Sequence, residues 1–516
     1  MFNRNKLAVV RLCFLLVFVF TVTIVAFNIC NNNTPPPSLQ SQIADGKALA
    51  KQYCSNCHEQ PEPSLIDKAS WANGVLPAMG KNLGIKRFMG GYFTDKNSVL
   101  DINNWQKIVS YYTSTAPDKL IIPRPAVAPL NDWAIFKVEK PKNADTTIQA
   151  QTMMISHREN DNYFYTSDIA NNVYRWDADL KGQLVNCFDS QITGLSFLND
   201  TGVVTGIGTI APVNSYKGGI WLTGLRKKEK NGKPVLIADS LPRPVATVAA
   251  DFNKDGLTDY IVCAFGHDNG GLYLIQQQPN HIFKKIIVSN IAGAVQLLTG
   301  DFNNDGWTDV ICLFSQADEG IRMFLNDHKG GFKTQTLLRF PSIYGSSSFQ
   351  LADFNHDGKP DILYTCGDNS DFSRVLKPYH GVYIFINQGN WKFKQTYFYQ
   401  INGCMKAMAA DFNHDGNLDI AAIAYYADFK NSPREGFTYL EQTQPDKFTA
   451  HRLPISSYGR WMTMDIADVD KDGYEDIILG NFSIPDRGMI NQANFKVNWD
   501  KYNPFIVLKN QLGKRH

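Results

Sequence analysis

Apolar residues are arranged in three different ways along the 516-residue chain. Residues 12–29 form an uncharged apolar run, which would be about 27 Å long as a helix and could cross a bilayer. Segments 40–53 and 101–113 space their apolar residues like the buried face of a helix. From residue 147 onwards, short apolar stretches alternate with glycine-containing turns, as in β-strands. We therefore expect a multidomain protein with an N-terminal membrane anchor, a small all-α domain and a large all-β domain.

The basic residues Arg4, Lys6 and Arg11 precede the apolar run, which predicts a cytoplasmic N-terminus and a non-cytoplasmic location for everything after residue 30. No small-x-small cleavage site closes the run, which favours an uncleaved anchor. Cys30 ends the run, however, and this layout resembles a bacterial lipoprotein with a lipidated cysteine. Residues 1–30 are thus a signal anchor or a lipoprotein signal, followed by a linker over 31–38. The protein is predicted to be membrane-anchored and to face the periplasm or the exterior of a bacterial cell.

The chain contains a single Cys-x-x-Cys-His sequence, formed by Cys54, Cys57 and His58. This is the attachment motif of c-type haem, in which two thiols add to the haem vinyl groups and the adjacent imidazole binds the iron. A zinc site would need a second Cys-x-x-Cys pair, which the sequence lacks. A redox-active motif of the thioredoxin type would need a βαβ setting, whereas the pattern around this motif is helical.

Residues 39–116 resemble the class I cytochrome c fold, because a helix, the haem motif, an irregular loop and an aromatic closing helix follow one another. Asp101 is a favourable N-cap for the closing helix. The resemblance implies that Gly46 of the first helix packs against Tyr111 or Tyr112 of the last. It also implies one covalent haem c in this domain.

The family usually supplies a methionine as the sixth iron ligand. Met79 follows Pro77 in a predicted loop and is favoured, while Met89 is the alternative. An open or histidine-bound site is the third possibility. Ligation of the iron by one methionine and one histidine raises the reduction potential of the haem and suits electron transfer.

A nine-residue motif, Asp-x-Asn/Asp-x-Asp-Gly-x-x-Asp, recurs five times after a proline-rich linker over 117–130. The second residue of the motif is Phe in four copies and Val in the last. Successive copies begin 50, 52, 58 and 57 residues apart, and such a period indicates a propeller or solenoid. The candidate ligands at positions 1, 3, 5 and 9 are Asp251, Asn253, Asp255, Asp259, Asp301, Asn303, Asp305, Asp309, Asp353, Asn355, Asp357, Asp361, Asp411, Asn413, Asp415, Asp419, Asp468, Asp470, Asp472 and Asp476.

The motif is suited to calcium binding. Oxygens at positions 1, 3 and 5 can converge on one ion when the backbone curls, and the glycine at position 6 permits the turn. A backbone carbonyl at position 7 and the carboxylate at position 9 can complete the shell. An EF-hand would need Glu at position 12 and helical flanks, both of which are missing. One copy alone would be read as a hydrated turn, but five copies predict about five calcium ions.

Each motif lies between apolar strands, and a third strand follows most copies. This arrangement resembles the FG-GAP/VCBS repeat of integrin-α-like propellers over roughly residues 245–510. Residues 131–244 keep the strand rhythm without the motif and leave room for two degenerate blades. The span 131–512 then corresponds to about seven units, and seven is a common number for closing a propeller.

Composition narrows the possible functions. Apolar residues make up 44% of the chain, which excludes wholesale disorder. The 51 basic and 49 acidic residues balance, and no basic stripe points to nucleic acid. Nine scattered cysteines do not form a disulfide scaffold. Cys263, Cys312 and Cys366 occupy matching positions in successive repeats and are expected to be small buried hydrophobes.

These features favour a membrane-tethered c-type cytochrome that exchanges electrons with a redox partner protein or a quinol-linked donor or acceptor. Its calcium-stabilised propeller would be a docking or ligand-binding platform. One alternative is a periplasmic oxidoreductase with its catalytic site in the propeller, although no vicinal cysteine pair, tryptophan-docking repeat or second haem motif supports it. Another is a calcium-dependent adhesion propeller that binds a glycan or a protein. No catalytic residue is assigned from the sequence.

Overall fold

The structure is a computed structural model, and it describes residues 38–55, 58–145, 147–158, 161, 163–225, 233–370, 373–484 and 498–513. The predicted anchor over 12–29, Cys30 and Cys57 lie outside the described residues. Within the described ranges, no helix is both long enough and apolar enough to cross a membrane.

The helical module comprises residues 39–116. Its elements are helix α1 (Leu39–Cys54), a 3₁₀ turn (Pro63–Leu65), α2 (Lys68–Ser70), a π-helical segment (Trp71–Val75), α3 (Leu76–Asn82), strands β1 (Ile85–Phe88) and β2 (Gly91–Thr94), and α4 (Ile102–Thr115). As predicted, Asp101 is the N-cap of α4, and its carboxylate accepts a hydrogen bond of 2.9 Å from the backbone N–H of Asn104. The two long helices therefore begin and end close to the predicted residues.

Helices α1 and α4 are in direct contact. A side chain at Gly46 would collide with the backbone carbonyl of Lys107 and with the Cβ of Tyr111. The predicted packing of Gly46 on Tyr111 is thus confirmed, and the small residue allows the two backbones to approach closely. Trp71 and Trp105 are almost completely buried beside this crossing.

The prediction that this domain is all-α is wrong in one place. Strands β1 and β2 pair as a short antiparallel hairpin, from Ile85 opposite Thr94 to Phe88 opposite Gly91. The turn between them places Met89 at φ 47° and Gly90 at φ 82°. Two successive positive φ values match the twist of a two-residue hairpin, which explains why the segment turns instead of continuing as an irregular loop.

Replacement of Gly46 by valine is expected to destabilise the helical module by about 1–3 kcal/mol, because the added carbons must force α1 and α4 apart. Ala44→Val is the matched control, since Ala44 lies on the exposed face of the same helix. Thermal unfolding followed by circular dichroism measures both variants. Equal stability of the two variants would contradict the close crossing.

The propeller is formed by seven four-stranded antiparallel sheets within the described residues, which confirms the predicted number of blades. The strands, in order from the first to the fourth of each blade, are Thr152–His157, Phe164–Asp168, Asn172–Trp176 and Gly182–Cys187 in blade 1; Ile192–Leu198, Thr201–Gly206, Gly218–Gly224 and Val235–Leu241 in blade 2; Pro244–Ala250, Asp259–Ala264, Gly271–Gln278 and Ile282–Ser289 in blade 3; Ala294–Gly300, Asp309–Phe314, Gly320–Asn326 and Phe332–Arg339 in blade 4; Ser346–Ala352, Asp361–Cys366, Gly381–Asn387 and Phe393–Gln400 in blade 5; Cys404–Ala410, Asp419–Ala424, Phe437–Gln444 and Lys447–His451 in blade 6; and Trp461–Ala467, Asp476–Asn481, Phe505–Asn510 and Phe136–Glu139 in blade 7.

Blade 7 closes the ring with strands from both ends of the propeller sequence. Its fourth strand, Phe136–Glu139, pairs with its third strand, Phe505–Asn510. The region 131–244 therefore supplies the two degenerate blades that were predicted and also this closing strand. Closure of the ring packs the face of blade 1 on the face of blade 7, and the radial arrangement leaves only short, protected sheet edges.

The second strands form the most buried layer of the blades with the repeat motif. All six residues of Asp259–Ala264 are buried, and the same holds for Asp309–Phe314 and Asp361–Cys366. Cys263 and Cys312 belong to this layer, and their sulfur atoms are 3.7 Å apart between neighbouring blades. The predicted packing role of these cysteines is confirmed.

The helical module and the repeat motifs lie at opposite faces of the propeller. Successive strands of a blade are antiparallel, so the connections between them alternate between the two faces. The motifs connect first and second strands. The contacts with the helical module involve Tyr379, from a connection between second and third strands, and Ile343, from a connection between two blades. The Tyr379 hydroxyl donates to the carbonyl of Leu65 over 3.2 Å, and Ile343 packs against the core of the module.

Candidate functional site

A cavity of about 360 Å³ lies between the helical module and the propeller. Such a volume falls within the range of small-molecule and cofactor pockets. The wall from the helical module is mostly apolar and includes Tyr53, Cys54, His58, Pro61, Trp71, Val75, Leu76, Met79, Leu83, Trp105 and Tyr112. The wall from the propeller is mostly polar and includes His267, Asp268, Ser315, Gln316, Glu319, Ser342, Ile343, Asp368, Asn369, Ser373 and Lys377.

Three of the four predicted haem-binding residues line this cavity. Cys54 is the last residue of α1, His58 follows the turn after that helix, and Met79 lies on α3. Cys57 lies outside the described residues. The Nδ1 atom of His58 is 2.8 Å from the carbonyl oxygen of Glu59, and because a carbonyl can only accept, Nδ1 carries the proton. The Nε2 atom is then left with its lone pair available for a metal.

The two candidate methionines have very different surroundings. Met79 is partly buried against the core of the helical module and lines the cavity. Met89 is 92% exposed at the tip of the β1–β2 hairpin. The prediction of a loop around Met79 is wrong, since Pro77 occupies the first turn of α3, where a proline is tolerated. The geometry thus favours Met79 over Met89 as a ligand to a group in the cavity.

The aromatic side chains of the cavity wall differ in whether their hydrogen-bond donors have an acceptor. The indole N–H of Trp71 donates to the carbonyl of Pro63 over 2.9 Å. The hydroxyl of Tyr112 donates to the carbonyl of Pro61 over 3.3 Å. The indole nitrogen of Trp105 is buried and has no hydrogen-bond partner among the described residues. A buried donor without an acceptor is costly.

The polar wall contains two buried charged residues that the sequence reasoning missed. Glu319 accepts hydrogen bonds from the backbone N–H and the hydroxyl of Ser346, over 2.8 and 2.6 Å. Burial raises the pKa of Glu319 to about 7, although these hydrogen bonds and the charge of Lys377 oppose the rise. The ammonium of Lys377 donates to Asn369 over 2.7 Å. No motif marks these residues, because they belong to irregular connections that only the blade arrangement brings together.

The five repeat motifs adopt one conformation, called here loops 3 to 7 after their blades. In loop 4, both carboxylate oxygens of Asp301 accept backbone N–H groups, from Asp305 and Gly306, and Asn303 accepts the Asp305 N–H as well. Position 6 is a glycine with φ between 78° and 91° in all five loops. Position 4 is a non-glycine residue with φ between 56° and 61° in all five. A left-handed conformation repeated five times at the same place indicates a functional turn.

The aspartate at position 9 has a different environment from the other three oxygen positions. It is almost fully buried in each of the five loops. In loop 3, Asp259 accepts the backbone N–H of Phe252 over 3.3 Å and that of Gln277 on the third strand over 2.8 Å. Burial raises the pKa of Asp259 to about 6 and that of Asp419 to about 7. This aspartate therefore ties the loop to the blade, besides being a potential ligand.

Position 2 of the motif, to which the sequence analysis gave no role, joins neighbouring blades. The carbonyl of Phe252 in loop 3 accepts the Asn326 side-chain amide of blade 4 over 2.8 Å. The carbonyl of Phe412 in loop 6 accepts the Asn510 amide of blade 7 over 2.7 Å. The recurrence of Phe at position 2 was the one sign in the sequence that this position has a structural role. Loop conformation and blade packing are consequently coupled.

One comparison with known proteins identifies the repeat. Residues 251–312 and 301–364 match the family model of an FG-GAP-like repeat. No curated protein matches the sequence. The WD40 β-propeller domain of Doa1 is similar at 10% identity and a TM-score of 0.44, over 73% of this chain and 98% of that domain. An ancestral GH74 enzyme is similar at 9% identity and a TM-score of 0.46, over 75% of this chain and 50% of the enzyme. The WD40 domain of Neurospora crassa Pan2 is similar at 8% identity and a TM-score of 0.43, over 70% of this chain and 89% of that domain. The chain thus carries FG-GAP-like repeats within a seven-bladed β-propeller.

Proposed function

We propose that the helical module holds one covalent haem c and that the protein transfers electrons, with the propeller as a docking platform. The observation that carries this proposal is the cavity, which brings Cys54, His58 and Met79 to one apolar wall.

Each residue of the apolar wall has a specific task in this proposal. The thiols of Cys54 and Cys57 would hold the haem covalently, while His58 Nε2 and the Met79 sulfur would bind the iron. Haem supplies reversible one-electron chemistry, and a methionine ligand favours the reduced state. Trp71 and Trp105 exclude water from this wall, since both are almost completely buried. A dry wall keeps the charge of the cofactor in a low dielectric and makes it sensitive to nearby charged groups.

The proposed platform role rests on how the propeller meets the module. Blades 3 to 5 supply a wall of the cavity, so a protein docked beside this interface would approach the cofactor closely. We propose a redox partner protein or a quinol-linked donor or acceptor as the partner. The apolar run over 12–29 would tether the protein to a membrane on the non-cytoplasmic side.

We further propose that loops 3 to 6 bind calcium and that the ions are structural. The side chains at positions 1 and 3 of loops 3 to 6 accept backbone N–H groups from within the same loop, which turns their oxygens inward. Carboxylate and amide oxygens are the ligands that calcium prefers. The loops lie at the face opposite the cavity, which supports a structural role separate from electron transfer.

A second candidate is the oxidation of a small polar substrate in the cavity. The polar wall with Glu319, Asn369 and Lys377 favours it, because such groups can orient hydroxyl or carboxylate groups. Turnover of sugars or alcohols with an artificial electron acceptor tests this candidate. A redox titration without substrate tests electron transfer, and a protein without a reversible redox transition would leave only the adhesion alternative.

The Cys54→Ser/Cys57→Ser double variant is expected to lose covalent haem completely. The protein is produced with the haem-attachment machinery and analysed by denaturing electrophoresis with haem staining and by a reduced-minus-oxidised spectrum. Cys187→Ser is the matched control, since Cys187 is exposed on blade 1, and it should retain full staining. Wild-type protein that does not stain would overturn the haem proposal.

A further inference from the structure

Loop 7, residues 468–476, differs from the other motif loops in its charge. Position 3 is Asp470, whereas it is asparagine in loops 3 to 6. Asp468, Asp470 and Asp476 each place one carboxylate oxygen within 4.8 Å of the others. Among the described residues, this is the one group of three or more acidic, histidine or cysteine side chains that converge in this way.

A lysine contacts two of the three carboxylates of this acidic cluster. Lys509 lies on the third strand of blade 7 and is only 1% exposed. Its ammonium nitrogen is 3.0 Å from Asp476 Oδ2 and 3.3 Å from Asp470 Oδ2. The backbone N–H of the next residue, Asn510, donates to the other oxygen of Asp476 over 2.8 Å. Loop 7 therefore already holds a positive charge among the oxygens that a metal ion would use.

None of the other four blades has a basic residue at this position of the third strand. The residue opposite position 9 on the third strand, by strand register, is Gln276 in blade 3, Leu325 in blade 4, Ile386 in blade 5 and Glu441 in blade 6. Lys509 has the corresponding position in blade 7. In blade 6 the charge is reversed, and Glu441 lies 3.3 Å from the Asn413 side-chain nitrogen of loop 6.

We propose that the ammonium of Lys509 is the resident cation of loop 7, and that this loop does not bind calcium. A calcium ion there would need the oxygens of Asp470 and Asp476 that Lys509 engages, and two cations a few ångströms apart in a buried site repel strongly. Expelling Lys509 would leave a buried ammonium without its carboxylates, which is also costly. This inference rests on the proposal that loops 3 to 6 bind calcium, and it predicts four ions per chain instead of five.

The presence of Lys509 in place of a calcium ion has a consequence for closure of the propeller ring. The strand that carries Lys509 pairs on its other edge with the closing strand, where Lys137 lies opposite Lys509. The contacts of Lys509 with Asp470 and Asp476 thus connect loop 7 to the third strand of blade 7, with which the closing strand pairs. Closure by blade 7 should therefore persist when calcium is removed, while blades 3 to 6 loosen.

Calcium stoichiometry tests the proposal, measured by equilibrium dialysis and elemental analysis of the full chain. Wild type is expected to bind four ions, and Lys509→Met, which keeps the length of the side chain but not its charge, should bind five. Lys137→Met is the matched control because Lys137 is exposed on the adjacent strand, and it should bind four. Five ions in wild type, or four in Lys509→Met, would overturn the assignment. Binding of no calcium at all would instead refute the calcium proposal itself.

Hydrogen exchange of the wild-type protein keeps the proposal testable if Lys509→Met does not fold. On chelation, the second strand of blade 7, Asp476–Asn481, should retain its protection, while Asp419–Ala424 in blade 6 should lose protection. Loss of protection in both strands would show that loop 7 depends on calcium and would overturn the proposal.

Discussion

Removal of calcium by a chelator is expected to lower the melting temperature of the propeller by about 10 °C or more and to leave the haem spectrum unchanged. Each of loops 3 to 6 gathers three aspartates in nine residues, and without a cation these carboxylates repel one another. The loops join the first two strands of their blades, and position 2 ties loops 3 and 6 to the next blade. Loss of the ions should therefore weaken packing between blades.

The magnitude follows from mass action. A site at a free calcium concentration 100 times its dissociation constant contributes about 2.7 kcal/mol to the folded state. Four such sites would contribute on the order of 10 kcal/mol, which is comparable with the whole stability of a typical domain. In a domain of this size, each kcal/mol corresponds to roughly 1–2 °C. Extracellular modules can bind as weakly as about 10⁻³ M, so the shift should grow with calcium concentration in the millimolar range.

A single loop can be tested with Asp305→Ala in loop 4, which should reduce the stabilisation by calcium by about one quarter. Asp327→Ala is the matched control, since Asp327 caps a turn in the same blade by accepting the backbone N–H groups of Lys329 and Gly331. Its effect on melting should be the same with and without calcium. If chelation changes neither melting nor resistance to proteolysis, the loops are plain turns.

Met79→Ala is expected to abolish the weak long-wavelength absorption band of methionine-ligated ferric haem and to lower the reduction potential. The reason is that Met79 is the methionine in the cavity wall, and loss of its sulfur removes a ligand that favours the reduced iron. Met89→Ala should change neither property, because its side chain is 92% exposed on the hairpin. Optical redox titration measures both variants.

Covalent haem is the internal control for this comparison, since both variants keep the attachment motif and should stain equally. Loss of the band in Met89→Ala but not in Met79→Ala would move the ligand to the hairpin. Retention of the band in both variants would exclude a methionine ligand from either position.

Much of the architecture was accessible from the sequence because it is encoded locally. The turn formed by positions 1 to 6 of each loop is held by hydrogen bonds within five residues, such as those from Asp255 and Gly256 to Asp251, so a nine-residue pattern contains the turn. Regular spacing of that pattern predicted the number of blades. The Gly46–Tyr111 contact followed from a resemblance instead of local spacing, and it was found as expected.

Two short elements differ from the prediction, since the hairpin that carries Met89 turns where an irregular loop was expected and Met79 lies on a helix. Other features depend on residues that are distant in sequence. The cavity joins His58 to Lys377, more than 300 residues away, through irregular connections that carry no motif. Such contacts arise from how the module packs on the propeller, so no local spacing can encode them.

In loop 7, the local sequence pattern and the tertiary structure lead to different conclusions. Its sequence matches the calcium motif and even has one carboxylate more at the ligand positions than the other copies, so the pattern alone predicts a fifth ion. Folding brings Lys509, 33 residues beyond Asp476, into the cluster across the sheet. A repeat pattern specifies which ligand atoms a turn presents, because these are neighbours in the chain. Which charge meets those atoms is decided by strand register, which is a property of the tertiary structure.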